Sequence, residues 1–341
     1  MTNNSYYIGS TWKEGAAPVA MLSFEEKGAV AVALADGRVV FRLLDRPESI
    51  LTEVEAHRDG LCAAALAPDG ETLFTAGEDG KLMRLSADGI PSEFSRFEKA
   101  WLEHLAVHES GVVAVAYKKT AVLLNADGKI LAEFSDHPST LGGICFDPKG
   151  KRLAASHYGG VSLWWVGGGV SQKPQRLSWK GSHLNLYWAA SGKYLLSCMQ
   201  ESALHGWRLP DFADFAMSGY TRKPRSFNWS EDGKWLASAG SPGIVCWDCS
   251  GKGPMGRPAM LLGQDNPEMT VQVACHPSLP LVAAGTENGG VYLARFEDER
   301  MVNMKTNSPA EIVYLGWSSS GRYLLAGAED GQGYAWQFNE D

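Results

Sequence analysis

The chain of 341 residues contains no uninterrupted apolar run near the ~18 residues that a membrane-spanning helix needs, so none is expected. Positive charge is also short: 31 Lys and Arg face 39 Asp and Glu, a net charge of -8. That balance argues against nucleic acid or a membrane as the main partner. The start, Met1-Thr-Asn-Asn-Ser-Tyr-Tyr, lacks a basic stretch followed by an apolar core, so no secretory leader is expected. The six cysteines, Cys62, Cys145, Cys198, Cys246, Cys249 and Cys275, therefore read as reduced thiols of a cytoplasmic protein rather than a disulfide framework. No segment of ten or more residues carries the apolar stripe of an amphipathic helix. Catalytic signatures are missing too: no His-Glu-x-x-His, no Gly-x-Ser-x-Gly, no phosphate loop and no dinucleotide fingerprint. No cofactor and no enzymatic activity are expected.

What the chain does have is a repeat. The segment from His57 to Lys81 holds two turns, Pro68-Asp69-Gly70 and Glu78-Asp79-Gly80, around a short apolar run. Asp-Gly between apolar runs is a hairpin signal, because both residues tolerate positive φ. The first turn recurs at Gly28, Gly70, Gly111, Gly150, Gly192, Gly233, Leu279 and Gly321, spaced by 39 to 46 residues. Four residues before each anchor stands an apolar residue: Phe24, Leu66, Val107, Phe146, Trp188, Trp229, Cys275 and Trp317. That column accounts for three of the 12 Trp. A β-rich run follows each anchor, then a turn, a third run such as Val161-Ser-Leu-Trp-Trp165, and a more polar fourth run such as Lys129 to Phe134. Four short antiparallel strands per ~40 residues is the pattern of a β-propeller blade.

These residues carry a family resemblance. The His57–Lys81 template resembles a WD40 repeat: a His before the inner strand, a Pro-Asp-Gly turn, Thr75 in the second strand and Asp79-Gly80 in the second turn. Trp247-Asp248 is the one Trp-Asp dipeptide, and Trp164, Trp207 and Trp336 fall at or beside its Trp position. Elsewhere the His57 position is held by Gly15, Glu98, His137, Trp179, Tyr220, Asn266 and Ser308, so the family's buried Trp–Ser/Thr–His–Asp network is expected complete in no repeat. The resemblance implies a single all-β propeller domain of eight four-stranded blades. Its repeats are 15–56, 57–97, 98–136, 137–178, 179–219, 220–265, 266–307 and 308–341, with 6–14 as the strand that pairs with the last blade. Seven blades are the alternative if one weak repeat, the third first of all, is an insertion.

The resemblance also implies non-enzymatic scaffolding through loops on one rim, those entering each inner strand and those joining second to third strands. The partner-binding candidates there are Arg58, Trp101, Lys118, Lys119, Tyr158, Trp179, Lys180, Tyr220, Arg222, Lys223 and Arg225. Aromatics and Arg dominate binding hot spots. The densest group, Tyr220-Thr-Arg-Lys-Pro-Arg225, suits an acidic segment of a protein or peptide partner. A second reading is a zinc site from Cys246, Cys249, Cys275 and His276, which are the right ligand types. Core packing is the simpler role for those cysteines, since Cys275 sits in the apolar column. A third is an enzyme with a site in the central channel.

Overall fold

The computed structural model describes residues 7–338 except 172, 252 and 264–266. Tyr6, expected to open the first strand, and Asn266, with the boundary between the sixth and seventh repeats, lie outside the described residues. The described residues form strands throughout, and one short 3-10 turn, Glu25–Lys27, is the sole helical element among them. The chain divides into two compact units.

One unit comprises 1–35, 39–53 and 224–341. It holds most of the sheet Pro18–Phe24, Ala29–Leu34, Arg38–Leu43, Ile50–Glu55, then Phe227–Trp229, Trp235–Ser238, Ile244–Asp248, Met260–Leu262, and Thr270–Cys275, Leu281–Thr286, Val291–Arg295, Met301–Met304. Its last sheet orders Ile312–Trp317, Tyr323–Ala328, Gln332–Phe338 and, at the outer edge, Tyr7–Lys13. The other unit, 36–38 and 54–223, holds Leu61–Leu66, Thr72–Gly77, Lys81–Ser86, Pro91–Arg96, and His104–Val107, Val113–Tyr117, Thr120–Leu124, Ile130–Phe134. Its third sheet has six strands: Gly143–Phe146, Arg152–Trp165, Gln175–Trp188, Tyr194–Met199, Leu204–Arg208 and Ala213–Met217.

The described residues thus form seven sheets, and the expectation of eight separate four-stranded blades is corrected to the seven-blade alternative. The cause is not an inserted third repeat, which forms a sheet of its own. Repeats four and five share the six-stranded sheet instead, through two strands of 14 residues each. Tyr158 pairs with Ser182 and Gly160 with Ser178, so the ladder continues where a loop would otherwise separate one sheet from the next. The strand Arg152–Trp165 bends back within itself, since the Val166 amide reaches the Lys151 carbonyl at 2.8 Å. Gly160 permits this: its φ is +137°, and a Cβ there would lie 2.0 Å from the Leu177 carbonyl oxygen.

Second strands are apolar on both faces where neighbouring sheets of a unit cover both sides. Ala29–Leu34 and Tyr323–Ala328 are buried at every position. In the sheet Thr270–Met304, Val282 and Ala284 pack toward Ala237 and Cys246, whereas Ala283 packs toward Leu324 and Trp336. Fourth strands are exposed at alternate or more frequent positions, as in Ile50–Glu55 and Pro91–Arg96, and serve as polar edges. Trp164 is buried and Trp165 exposed, as their opposite directions on one strand require.

The N-terminal strand is tied in by more than its ladder. Tyr7 to Lys13 pair in register with Phe338 to Gln332. Trp12 is buried over Gly333, where a Cβ would lie 2.2 Å from the indole. Glu14 then accepts from the Arg42 guanidinium at 2.7 Å, both side chains being buried. Breaking such a pair by removing one partner costs about 3–5 kcal/mol. Deleting residues 1–14 removes the ladder, Trp12 and Glu14 together, and is expected to lower the melting temperature sharply and to reduce solubility. Glu14→Ala alone should reproduce much of that loss. A truncated protein with an unchanged melting curve would contradict the assignment.

Candidate protein-interaction surface

In the second unit, the loops carrying the candidate residues are fixed by buried polar groups. His57 is fully enclosed. Its Nδ1 donates to Asp79 Oδ1 at 2.9 Å, and its Nε2 accepts from Thr75 Oγ1 at 2.9 Å. Three members of the family network therefore meet in the second repeat, without the Trp. Burial lowers the His57 pKa, against the pull of Asp79. The turn that Asp79 belongs to also receives the Leu102 amide at the Gly77 carbonyl and the Phe97 amide at the Gly80 carbonyl. Arg58 and Trp101 thus flank one turn. Trp101 lies between the buried Ala100 and Leu102 and is itself 61% exposed.

The next loop is held in the same manner by different residues. Lys118 adopts φ +49° in the turn between Val113–Tyr117 and Thr120–Leu124, and its carbonyl accepts from the Leu141 amide. His137 Nδ1 donates to the Lys119 carbonyl at 2.7 Å, and its Nε2 accepts from the Trp164 indole at 3.0 Å. Burial pushes the His137 pKa down to about 4. The Lys119 ammonium donates to the Pro138 carbonyl, and Ser139 Oγ accepts from the Tyr158 amide at 2.8 Å. Lys118, Lys119 and Tyr158, all exposed, are therefore joined through the loop 135–141.

Trp179 and Lys180 lie on the strand shared by repeats four and five. The Trp179 ring stacks on His205 at 4.1 Å, and its carbonyl accepts from His183 Nε2 at 3.0 Å. His183 Nδ1 meets the Ser197 hydroxyl at 2.7 Å. His183 thus does for the fifth repeat what His57 does for the second, four residues after the position where repeat spacing looks for it. Ser197 carried the signal, standing five residues after Gly192 as Thr75 stands after Gly70. A further group escaped sequence reading altogether. Arg176 pairs with Asp136 at 3.1 Å and donates to Ser162 Oγ, which also meets His157 Nε2.

Tyr220 departs from expectation: it is buried, at 8% exposure, and does not belong to an open surface. The aromatic ring gains more by leaving water than a rim position would allow. Arg222 and Arg225 are exposed, and Lys223 is half-buried with its ammonium on Gln200 Oε1 at 2.9 Å. Arg225 belongs to the first unit, where it faces Glu311 at 3.5 Å. The first unit rebuilds the turn lock with other chemistry. Ser308 Oγ donates to Asp330 in repeat eight, and Thr286 Oγ1 donates to Glu268 in repeat seven.

The candidate zinc ligands do not converge. No group of three or more His, Cys, Asp or Glu able to hold a metal occurs among the described residues. Cys246 and Cys275 are buried in one apolar cluster. Burial raises the thiol pKa of both, and that of Cys249 to about 12, the reverse of what a thiolate ligand needs. His276 has both ring nitrogens engaged, Nε2 with the Gly321 carbonyl and Nδ1 with the Ser278 and Leu279 amides. A pocket in the first unit is lined by residues that include Glu268, Tyr292, Met301 and Met304, and none of the candidate residues reaches it.

The buried imidazoles set a pH dependence. The His205 ring is fully enclosed; Asp214 stands 3.4 Å from Nε2, but neither ring nitrogen has a hydrogen-bond partner. Burial, with the nearby His183, holds its pKa down to about 3. An unfolded imidazole takes its proton near pH ~6.5. Acidification from there toward the depressed folded values of His205 and His137 therefore favours the unfolded chain. The melting temperature is expected to fall over that window, and to fall less in His205→Phe, which keeps the ring stack. Parallel pH profiles for the two proteins would contradict this.

Comparison with known proteins agrees with this architecture. Residues 273–337 match the family described as anaphase-promoting complex subunit 4 WD40 domain, and residues 48–83 match the WD domain, G-beta repeat. The chain is 30% identical over 120 residues to the Protein LST8 homolog of Drosophila melanogaster; the match spans 35% of this chain and 37% of that protein. Among solved structures, the computationally designed Ika8 protein superposes with a TM-score of 0.79 at 15% identity, over 96% of this chain and 98% of its own. The RRP9 WD40 repeats superpose with a TM-score of 0.63 at 16% identity, over 83% of this chain and 96% of theirs. The two structures share the fold alone, while the family matches fall on repeats whose turns and strands are described above. WD40 family models thus match two parts of the chain, and its fold is that of the WD40-repeat β-propellers.

Proposed function

We propose that the protein is a non-enzymatic scaffold that presents loop surfaces to protein or peptide partners. WD40 propellers generally mediate protein interactions. The observation that carries the reading here is the exposure of Trp101 and Tyr158, at 61% and 55%, on loops whose backbones are locked to neighbouring hairpins. An exposed aromatic on an ordered loop loses little conformational freedom on binding and offers a large apolar contact. Arg58, Lys118, Lys119 and Lys180 add exposed cations in the same unit, and Arg222, Lys223 and Arg225 form a separate basic run. Together they suit an acidic segment of the partner through charge-assisted contacts. Trp179 contributes its outer face, its inner face being covered by His205.

The eight repeats are read as one cooperative domain in the cytoplasm. Six free thiols support a reducing location, and no helix of the described residues is long and apolar enough to cross a membrane.

Affinity capture from lysate of the source cells, read by mass spectrometry, tests the proposal. Trp101→Ala/Tyr158→Ala is expected to lose a partner that the wild type retains, with an unchanged melting temperature. Arg222→Glu/Arg225→Glu reports separately on the basic run. Capture of the same proteins by all three forms would place binding elsewhere.

A further inference from the structure

The charge of this acidic chain is unevenly distributed. From Pro148 to Gln200 there is no Asp or Glu, whereas Lys149, Lys151, Lys173 and Lys193 occur there at turns. Those turns emerge at one end of the six-stranded sheet. The Lys151 carbonyl accepts from the Val166 and Gly167 amides, which sets the turn 147–151 against the loop 166–174. Gly142 and Gly143 lie against His183 to Asn185, so Gly143–Phe146 and the second half of Gln175–Trp188 run side by side in one direction. Their exits, into 147–151 and 189–193, therefore lie at the same end.

All four lysines are exposed, and none forms an ion pair among the described residues. The preceding acid, Asp147, is buried and turned onto the backbone, its Oδ1 accepting from the Lys151 and Arg152 amides. Among these cations Trp165 is 43% exposed and Val170 37% exposed. The loop that bears them is closed at its base: the Ser171 amide donates to the Trp165 carbonyl at 2.9 Å, and the Trp165 amide to Ser171 Oγ at 3.0 Å. Exposed cations around a fixed, exposed indole make a basic surface with an apolar centre, complementary to an acidic segment that carries an apolar side chain.

We propose that this end of the six-stranded sheet docks an acidic segment of a partner protein, with carboxylates on Lys149, Lys151, Lys173 and Lys193 and an apolar side chain on Trp165. It is separate from the surface of Trp101 and Tyr158: Tyr158 lies at the bend of the strand Arg152–Trp165, and Trp165 at the far end where the strand returns to Lys151. The flanks favour a peptide over an extended polyanion. Glu109 lies in the turn beside Gly150, across His108, and Asp211 follows on the other side, paired with Arg208. A narrow segment lying between them is attracted, since charge is screened beyond ~8 Å. A membrane or nucleic acid would meet the flanking acids, and the net charge of -8, as well.

The test uses the full chain and a fluorescein-labelled peptide of 12 Glu and Asp residues with a central Leu, followed by anisotropy at low and high salt. Binding is expected at low salt, weakening as salt rises. Lys149→Glu/Lys151→Glu/Lys193→Glu should weaken it by about tenfold or more, and Trp165→Ser should weaken it further. Lys27→Glu, in an exposed turn of the first unit, should leave it unchanged, whereas binding lost in Arg222→Glu/Arg225→Glu but kept in the lysine variants would place the peptide on the loop surface and overturn the proposal. Lysine variants with unaltered melting curves but undiminished binding would overturn it, as would no binding by the wild type. So would equal or tighter binding to phosphatidylserine vesicles or to single-stranded DNA of the same length.

Discussion

The structure depends on sheets that are apolar on both faces. An isolated sheet of this kind would be insoluble; stacked between neighbours, it buries both faces with few polar groups inside. The burial is worth about 25 cal/mol per Å² of apolar surface. Ala, Val and Leu fill most of the second strands, and third strands add large buried rings such as Phe41, Trp207 and Trp336. Val113 to Ala116 shows this directly, with two residues packing toward Leu82 and Leu102 and two toward Leu153 and Ala155.

The loops in turn need polar anchors, and the chain supplies a different one in each of five repeats. His57 with Asp79, Glu268 with Thr286 and Ser308 with Asp330 each tie a loop to a hairpin, His137 ties its loop to a strand through Trp164, and His183 ties two strands through Ser197. The shared requirement is a donor–acceptor pair at that point, because a polar group left unpaired where it is buried would cost about 1–3 kcal/mol. Identity of the pair is free to drift, which explains why a family pattern that is clear in the second repeat fades elsewhere.

This also sets how much the sequence discloses. Strand positions were legible because Asp-Gly and Ser-Gly turns recur at one spacing around apolar runs. The pairing of Tyr7–Lys13 with the last sheet was legible because the eighth repeat lacks a fourth strand. The merger of repeats four and five was not, since the repeat pattern implies a turn after each second strand, whereas Arg152–Trp165 bends through Gly160 and continues as one strand with a shift of register. His183 and Arg176 were missed because their partners, Ser197, Ser162 and Asp136, are distant in sequence. Tyr220 was misplaced because an aromatic beside Arg and Lys looks exposed, and only packing shows that it is not.

The central claim is that a fixed loop surface, rather than the core or the polar edges, meets the partner. Site-specific photo-crosslinking in the source cells tests this most directly. A photoreactive phenylalanine would replace Trp101 in one protein and Ile90, which is 67% exposed beside the edge strand Pro91–Arg96, in another. The account predicts a discrete crosslinked protein at position 101 and none at position 90. Equal labelling at the two positions, or labelling confined to position 90, would contradict it.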